Sequence, residues 1–335
     1  MHPAFQAILT IIIGVGGCVG YFYFSNQFLD KVVFPASGPN AGRNITRANM
    51  VRPWLFLFPA LLGLTVYLAY PVVETLRLSL TERLPGGGSR FVGLANYQQM
   101  LNEPKFWEAM RNNMLWLLVV PAMSTVFGLL AAQLSDRVRW GNLAKSLIFM
   151  PMAISFVGAA VIWKLVYDTR PIDQDQIGVL NAVYLFFGGT EPQSWLTMIG
   201  PNSFLLMIVL VWIQTGFAMV ILSAALRGIP EETIEAAIVD GANPFQVFFK
   251  IKVPQIMGTI VVVWTTITIV VLKVFDIVFA MTNGQWETQV LANYMYDKLF
   301  RANDWGVGSA SAMIIMLLVS PILVWNVYNA RKEMQ

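Results

Sequence analysis

An all-α integral membrane protein with about seven transmembrane helices is the fold class this sequence predicts. Three observations lead there. The 335 residues are 56% hydrophobic and only 12% charged, with a mean hydropathy of +0.60, which is too little polar surface for a soluble domain of this length. Seven runs approach the roughly 20 apolar residues that a bilayer crossing needs. The short loops between them differ in Lys and Arg content, the charge signature of membrane topology. Eleven Trp and seventeen Met suit membrane interfaces and packed helices.

The runs fall at about 4–25, 53–80, 114–134, 145–166, 203–224, 258–280 and 307–328. The first lacks the build of a signal peptide. Only His2 titrates before it, and bulky Tyr21, Phe22, Tyr23 and Phe24 follow it. The 26–52 loop carries Lys31, Arg43, Arg47 and Arg52 against Asp30. The 135–144 loop carries Arg137 and Arg139 beside Lys145, and the tail carries Arg331 and Lys332. These segments are expected to be cytoplasmic. The 167–202 loop holds Asp168, Asp173, Asp175 and Glu191 against Arg170 and is expected outside. The mixed 81–113 loop is placed outside by alternation. The N-terminus is then periplasmic and the C-terminus cytoplasmic. Residues 1–52 form an N-terminal span with its linker, and 53–335 the main membrane domain.

Several function classes find no support. Cys18 stands alone and cannot form an internal disulfide. A single His leaves no His-cluster metal site and speaks against His-based acid–base catalysis. A net charge of +3, spread along the chain, does not suit nucleic acid. No G-x-x-x-x-G-K-[ST] phosphate loop occurs. Gly86-Gly87-Gly88 reads as an outer turn.

The 225–257 loop departs from the charge pattern. Arg227, Lys250 and Lys252 meet Glu231, Glu232, Glu235 and Asp240 in a loop expected to be basic, which suggests a protein partner more than lipid headgroups. Pro230 suits the first position of a helix, and Glu231 and Glu232 complement its dipole. Gly241 suits a helix stop. Asn243-Pro244 suits the cap and start of a second short helix that presents Phe245, Phe248 and Phe249 and ends at Pro254. Composition alone also allows an amphipathic helix lying on the membrane surface.

Two places inside the runs carry polar chemistry. Trp212-Ile213-Gln214-Thr215-Gly216-Phe217 lies near mid-membrane. A ring there can pack on the apolar face of a sugar and Gln214 can pair with hydroxyls; the alternative is ordinary helix packing. Lys273 and Asp276, three apart, are expected to share a helix face and to meet each other or a water-filled cavity, because each charge costs about 2.5–3.5 kcal/mol at a helix centre. The alternative is a structural salt bridge.

Glu235-Ala236-Ala237, Asp240-Gly241 and Ile251-x-x-Pro254 resemble the EAA loop of ABC-importer permeases. Phe91-Val92-Gly93-Leu94-Ala95-Asn96-Tyr97, Tyr70-Pro71-Val72-Val73, Phe149-Met150-Pro151-Met152-Ala153-Ile154-Ser155 and Gly178-Val179-Leu180-Asn181 are similar to segments of the sugar-importing members. The likeness covers about residues 53–330. The N-terminal extension and the Val51–Phe56 entry are most similar to α-glucoside permeases. The resemblance implies a permease subunit with no catalytic residues and no cofactor or metal of its own. ATP and Mg would sit in two partner ATPases that grip the loop through Glu235, Ala236, Ala237, Asp240, Gly241, Phe245 and Pro254. A second permease and a periplasmic sugar-binding protein would complete the assembly. It also implies a sugar site at Trp212, Gln214, Phe217, Lys273 and Asp276; the maltose-type permease has Gly, Tyr and two Asn at the positions of Gln214, Phe217, Lys273 and Asp276. A permease for glycerol-phosphate or a polyol, and a secondary transporter, are the alternative readings.

Overall fold

The computed structural model describes residues 3–84 and 86–333; His2 lies outside them. It divides into two compact units, residues 1–74 and 75–335.

In the first unit, α1 (Pro3–Phe28) runs on into a π-helical turn, Leu29–Val33. The chain turns at 34–40, where Pro35, Gly38 and Pro39 cluster, and re-enters helix as α2 (Ala41–Leu64). A π-helical turn, Thr65–Ala69, joins α2 to α3 (Tyr70–Ser79). The expected 26–52 loop is therefore mostly helix. Hydropathy marks where a helix meets lipid, not where it ends, and 41–52 holds no proline. Arg52 clamps Asp30 with bonds of 2.7 and 2.9 Å. Tyr21 stacks on Phe58 and Phe22 on Phe56. Pro59 cannot donate to the Leu55 carbonyl one turn back, and the Tyr21 hydroxyl donates to that oxygen instead, at 2.9 Å.

The second unit begins within α3, at Thr75, and continues into an antiparallel hairpin, β1 (Thr81–Arg83) and β2 (Ser89–Phe91), with Thr81 opposite Phe91. Then come α4 (Ala95–Asn102) and the long α5 (Pro104–Ser135). Next are α6 (Gly141–Phe149), α7 (Phe156–Val166), α8 (Val179–Phe186) and α9 (Pro201–Arg227). The turn after α9 leads to α10 (Glu231–Val239), α11 (Pro244–Gln246) and α12 (Val253–Gln255). The chain closes with α13 (Met257–Leu272), α14 (Asp276–Met281), α15 (Leu291–Tyr296) and α16 (Trp305–Glu333).

Among the described residues, five helices are long and apolar enough to cross a membrane, and two bent pairs bring the number to seven. The expected single span at 145–166 is two pieces at 106°. Met150–Ala153 forms a 3₁₀ turn, Ile154 is extended, and the Ser155 hydroxyl restarts the helix by accepting from the Gly158 amide at 3.1 Å. The expected 258–280 span meets the preceding helix at 70° and breaks again after Leu272.

The core lies where α5 meets α9. Gly128 lets the backbones close, since a Cβ there would sit 2.4 Å from that of Ala218 and 2.9 Å from the Met219 nitrogen. Gly216 does the same for the 145–155 break, where a Cβ would fall 2.6 Å from the Ile148 oxygen.

Candidate functional site

The loop after α9 is built much as its residues dictate. Pro230 caps α10 rather than starting it, and Glu231 and Glu232 fill the first turn. Gly241 sits at φ +82°. Its amide donates to the Ile238 carbonyl and that of Ala242 to the Ala237 carbonyl, the paired closure of a helix that ends on glycine. Asn243 then caps α11 in a reciprocal pair with Gln246, both bonds 2.9 Å. A π-helical stretch, Val247–Lys252, carries the helix to α12. Pro254 lies in that last turn, and the chain bends just after it, at Ile256. Glu235, Ala236, Asp240 and Gly241 are exposed and Ala237 is half-buried. The loop's apolar side chains are left uncovered: Val239 is 86% exposed and Phe245 77%.

Just before the loop lies a charged cluster that the sequence reading did not single out. Asp136, just past α5, accepts from Lys145 at 2.5 Å and Arg227 at 2.7 Å. Lys145 also donates to the Ser223 hydroxyl at 2.6 Å. Burial pushes the Asp136 carboxyl up, but hydrogen bonds and charge from Arg227 and Lys145 outweigh it and hold the group below the usual carboxylate range. One carboxylate thereby ties the ends of α5 and α9 to the start of α6. Its signal lay in the spacing of Asp136 and Lys145 across a short turn; Arg227 is 91 residues away.

The candidate sugar residues divide. α13 ends at Leu272, and Lys273, Val274 and Phe275 form a kink before Asp276 opens α14. Lys273 and Asp276 therefore do not share the face of one continuous helix, and no ion pair joins them among the described residues. The β-branched run Ile267-Thr268-Ile269-Val270-Val271 leads into a segment whose charged ends favour leaving regular helix in apolar surroundings. Both side chains instead line one cleft of about 310 Å³ with Phe156, Leu210, Val270 and Phe275. Lys273 is exposed and Asp276 half-buried.

On α9, Leu210, Gln214 and Phe217 are spaced i, i+4 and i+7 and so share a face. Trp212, two residues from Gln214, is turned about 160° away. Its ring meets Trp163 edge-on at 5.8 Å, and Trp163 meets Tyr167 at 5.3 Å. Gln214 is buried yet makes no hydrogen bond to any described residue. Phe217 is half-buried against the core. The structure thus brings Lys273, Asp276 and Leu210 to one cleft, sets Gln214 and Phe217 on the helix face that continues from it, and places Trp212 in an aromatic contact with α7.

Several of the quoted segments have structural work of their own. The Asn96 amide donates to the Ser79 and Thr81 carbonyls at 2.8 and 3.0 Å. Asn181, fully buried, donates to the Asp168 and Gln193 carbonyls and accepts from the Gln193 amide and the Trp195 indole. A Cβ on Gly178 would lie 2.1 Å from the Asp168 oxygen.

Comparison with known proteins agrees with this geometry. Residues 124–332 match the family described as "Binding-protein-dependent transport system inner membrane component". The chain is 61% identical over 337 residues to the alpha-glucoside transport system permease protein AglF of Rhizobium meliloti (strain 1021), covering 99% of each. It is 47% identical over 279 residues to the osmoprotective compounds uptake permease protein GgtC of Synechocystis, covering 83% of this chain and 99% of the relative. Its fold matches a chain of a bacterial ABC transporter that imports the acidic polysaccharide alginate, with a TM-score of 0.72 at 18% identity over 88% of this chain and 99% of that one. With its family match spanning the loop after α9, both broken spans and the cleft, this chain belongs to the inner membrane permeases of binding-protein-dependent ABC import systems.

Proposed function

We propose that the chain is the permease subunit that moves an α-glucoside, a di- or oligosaccharide, inward through the membrane. The observation that carries the coupling part is the capped, exposed loop from Glu231 to Pro254, whose apolar tip invites a protein partner. The near full-length identity to an α-glucoside permease supports the substrate. Two ATPase subunits grip Glu235–Gly241 and Phe245 and hold the ATP and Mg. A second permease completes the pathway, and a periplasmic binding protein delivers the sugar. The N-terminus lies on the periplasmic side and the C-terminus in the cytoplasm.

Closing the ATPases pushes on α10. The loop joins α9 at one end and, through the 70° bend, α13 at the other. Both helices contribute to the cleft, through Leu210 and through Val270 and Lys273. Motion of the loop therefore bears on two walls of one cavity. Lys273 donates to sugar oxygens, Asp276 accepts from hydroxyls, and the buried amide of Gln214 gains a partner when a hydroxyl arrives. Phe217 closes the same face, and Trp212 props α7 against α9.

The test is uptake by the assembled complex in vesicles, with labelled maltose, cellobiose and a glucose-free osmoprotective solute such as glycine betaine. ATP-dependent uptake of the α-linked sugar alone is expected. Preference for the betaine, or uptake driven by an ion gradient without ATP, would replace this reading.

A further inference from the structure

A row of aromatic rings leaves the cleft. Phe275 lines it, and its ring lies 5.0 Å from Phe279 and 5.3 Å from Tyr296. Tyr296 lies 5.1 Å from Phe300, and Phe300 lies 6.4 Å from Trp305. Trp305 lines a second cleft, of about 390 Å³ and markedly polar, with Glu82, Arg83, Asn303 and Asp304. The row thus joins two openings of one unit without a gap. Its members come from the kink before α14, from α14, from α15 with the π-helical turn Asp297–Arg301, and from α16, so no sequence period reveals it.

Three properties say what the row meets. First, it is open: Phe300 is 63% exposed, and the other four rings are partly so. Second, it is not dressed for lipid. The Arg301 guanidinium lies over Phe279 and Tyr296 at 5.9 and 5.8 Å, that of Arg83 lies 4.4 Å over Trp305, and Asp297 sits 3.1 Å from Arg301. Charges of that density belong beside water. Third, rings beside charged hydrogen-bonding groups match a pyranose, which offers an apolar C–H face and a rim of hydroxyls. Each ring contact is weak on its own. A ligand on several such contacts in series is held at each and trapped at none, as a conduction path requires.

We propose that Phe275, Phe279, Tyr296, Phe300 and Trp305 form a sugar track, along which the glucosyl rings of the substrate pass from the polar cleft to the Lys273–Asp276 cleft. The track rests on the sugar-import reading above. Phe300 is its most exposed step and Trp305 its entrance.

The experiment uses the full transporter with its binding protein in vesicles and labelled maltose. Phe300→Ala is expected to slow uptake about three- to tenfold, the loss expected for one stacking partner. Phe300→Tyr should restore the rate to within about twofold, and Phe300→Leu should not. Uptake by Phe300→Ala at the wild-type rate, or equal rescue by Leu and Tyr, overturns the track while the import reading stands. A wild-type complex that takes up no α-glucoside overturns both. Surroundings are read separately, with a spin label on Phe300→Cys in a Cys18→Ser background. A water-soluble nickel complex is expected to relax the label. Relaxation by oxygen alone would place Phe300 against lipid, and protection from both would place it against a protein partner. Either result overturns the track.

Discussion

Gly241 and Asp136 are the two residues whose chemistry bears most directly on the proposed coupling. Gly241 holds φ +82°, a conformation that costs an L-residue about 1–2 kcal/mol. Gly241→Val is expected to fray the end of α10 by about that amount. The chain should still reach the membrane, and maltose-stimulated ATPase activity and co-purification of the ATPases should fall; normal values for both would remove the loop's proposed role. Asp136 has its carboxyl pKa lowered in the folded chain. The sign is that of a depressed acid: its stabilisation is fully present above the ordinary carboxylate pKa, about 4, and is lost as pH falls through the lower folded value. Wild type and Asp136→Asn should therefore differ in thermal midpoint at neutral pH and converge below about pH 4. A constant difference down to pH 3 would show that the cluster does not act through this charge.

Elements decide how the spans bend and how closely they pack. Gly128 is a point of close approach of α5 to α9, and even a methyl group would overlap Ala218. Gly128→Val should cost about 1–3 kcal/mol by forcing the helices apart, seen as a lower thermal midpoint and reduced membrane abundance. An unchanged midpoint would mean that the helices part without loss. In the 167–202 loop, Asn181 carries four bonds from one amide group to the backbone on both sides of α8 and to Trp195. Asn181→Ala should cost about 2–4 kcal/mol, at roughly 1 kcal/mol per bond plus unpaired partners. Faster protease cleavage near residues 170–195, with insertion intact, is the expected readout.

For the molecule as a whole, orientation and transport are the quantities to measure. A reporter fused at about residue 40 should read cytoplasmic and one at about residue 180 periplasmic; reversal at either site overturns the proposed topology. Asp276→Ala should weaken maltose uptake about five- to 150-fold, the loss of one to three kcal/mol of charged hydrogen bonding, without lowering membrane abundance. Trp212→Ala separates two roles. If its ring only supports Trp163, as their contact indicates, Trp212→Phe rescues transport, whereas a sugar-binding ring also sets the Km.

Much of this was legible in the chain. Hydropathy located the five long apolar helices and the two bent pairs, because the cost of exposing backbone and polar groups to lipid depends on composition and length. Local chemistry located the loop's caps at Gly241 and Asn243, because a cap is a contract between residues three or four apart. The breaks at Ile154 and after Leu272 were not legible, since an apolar run stays apolar when its helix bends. Nor was the pairing of Asp136 with Arg227, or the separation of Trp212 from Lys273 and Asp276, or the row from Phe275 to Trp305. Those depend on which helix faces meet, and small residues such as Gly128 and Gly216 set that by allowing backbones to touch. The sequence by itself determined a multi-span permease with a capped loop after α9; only the tertiary structure decided which side chains share a cavity, because burial in a bundle is a property of pairs of helices and not of any one of them.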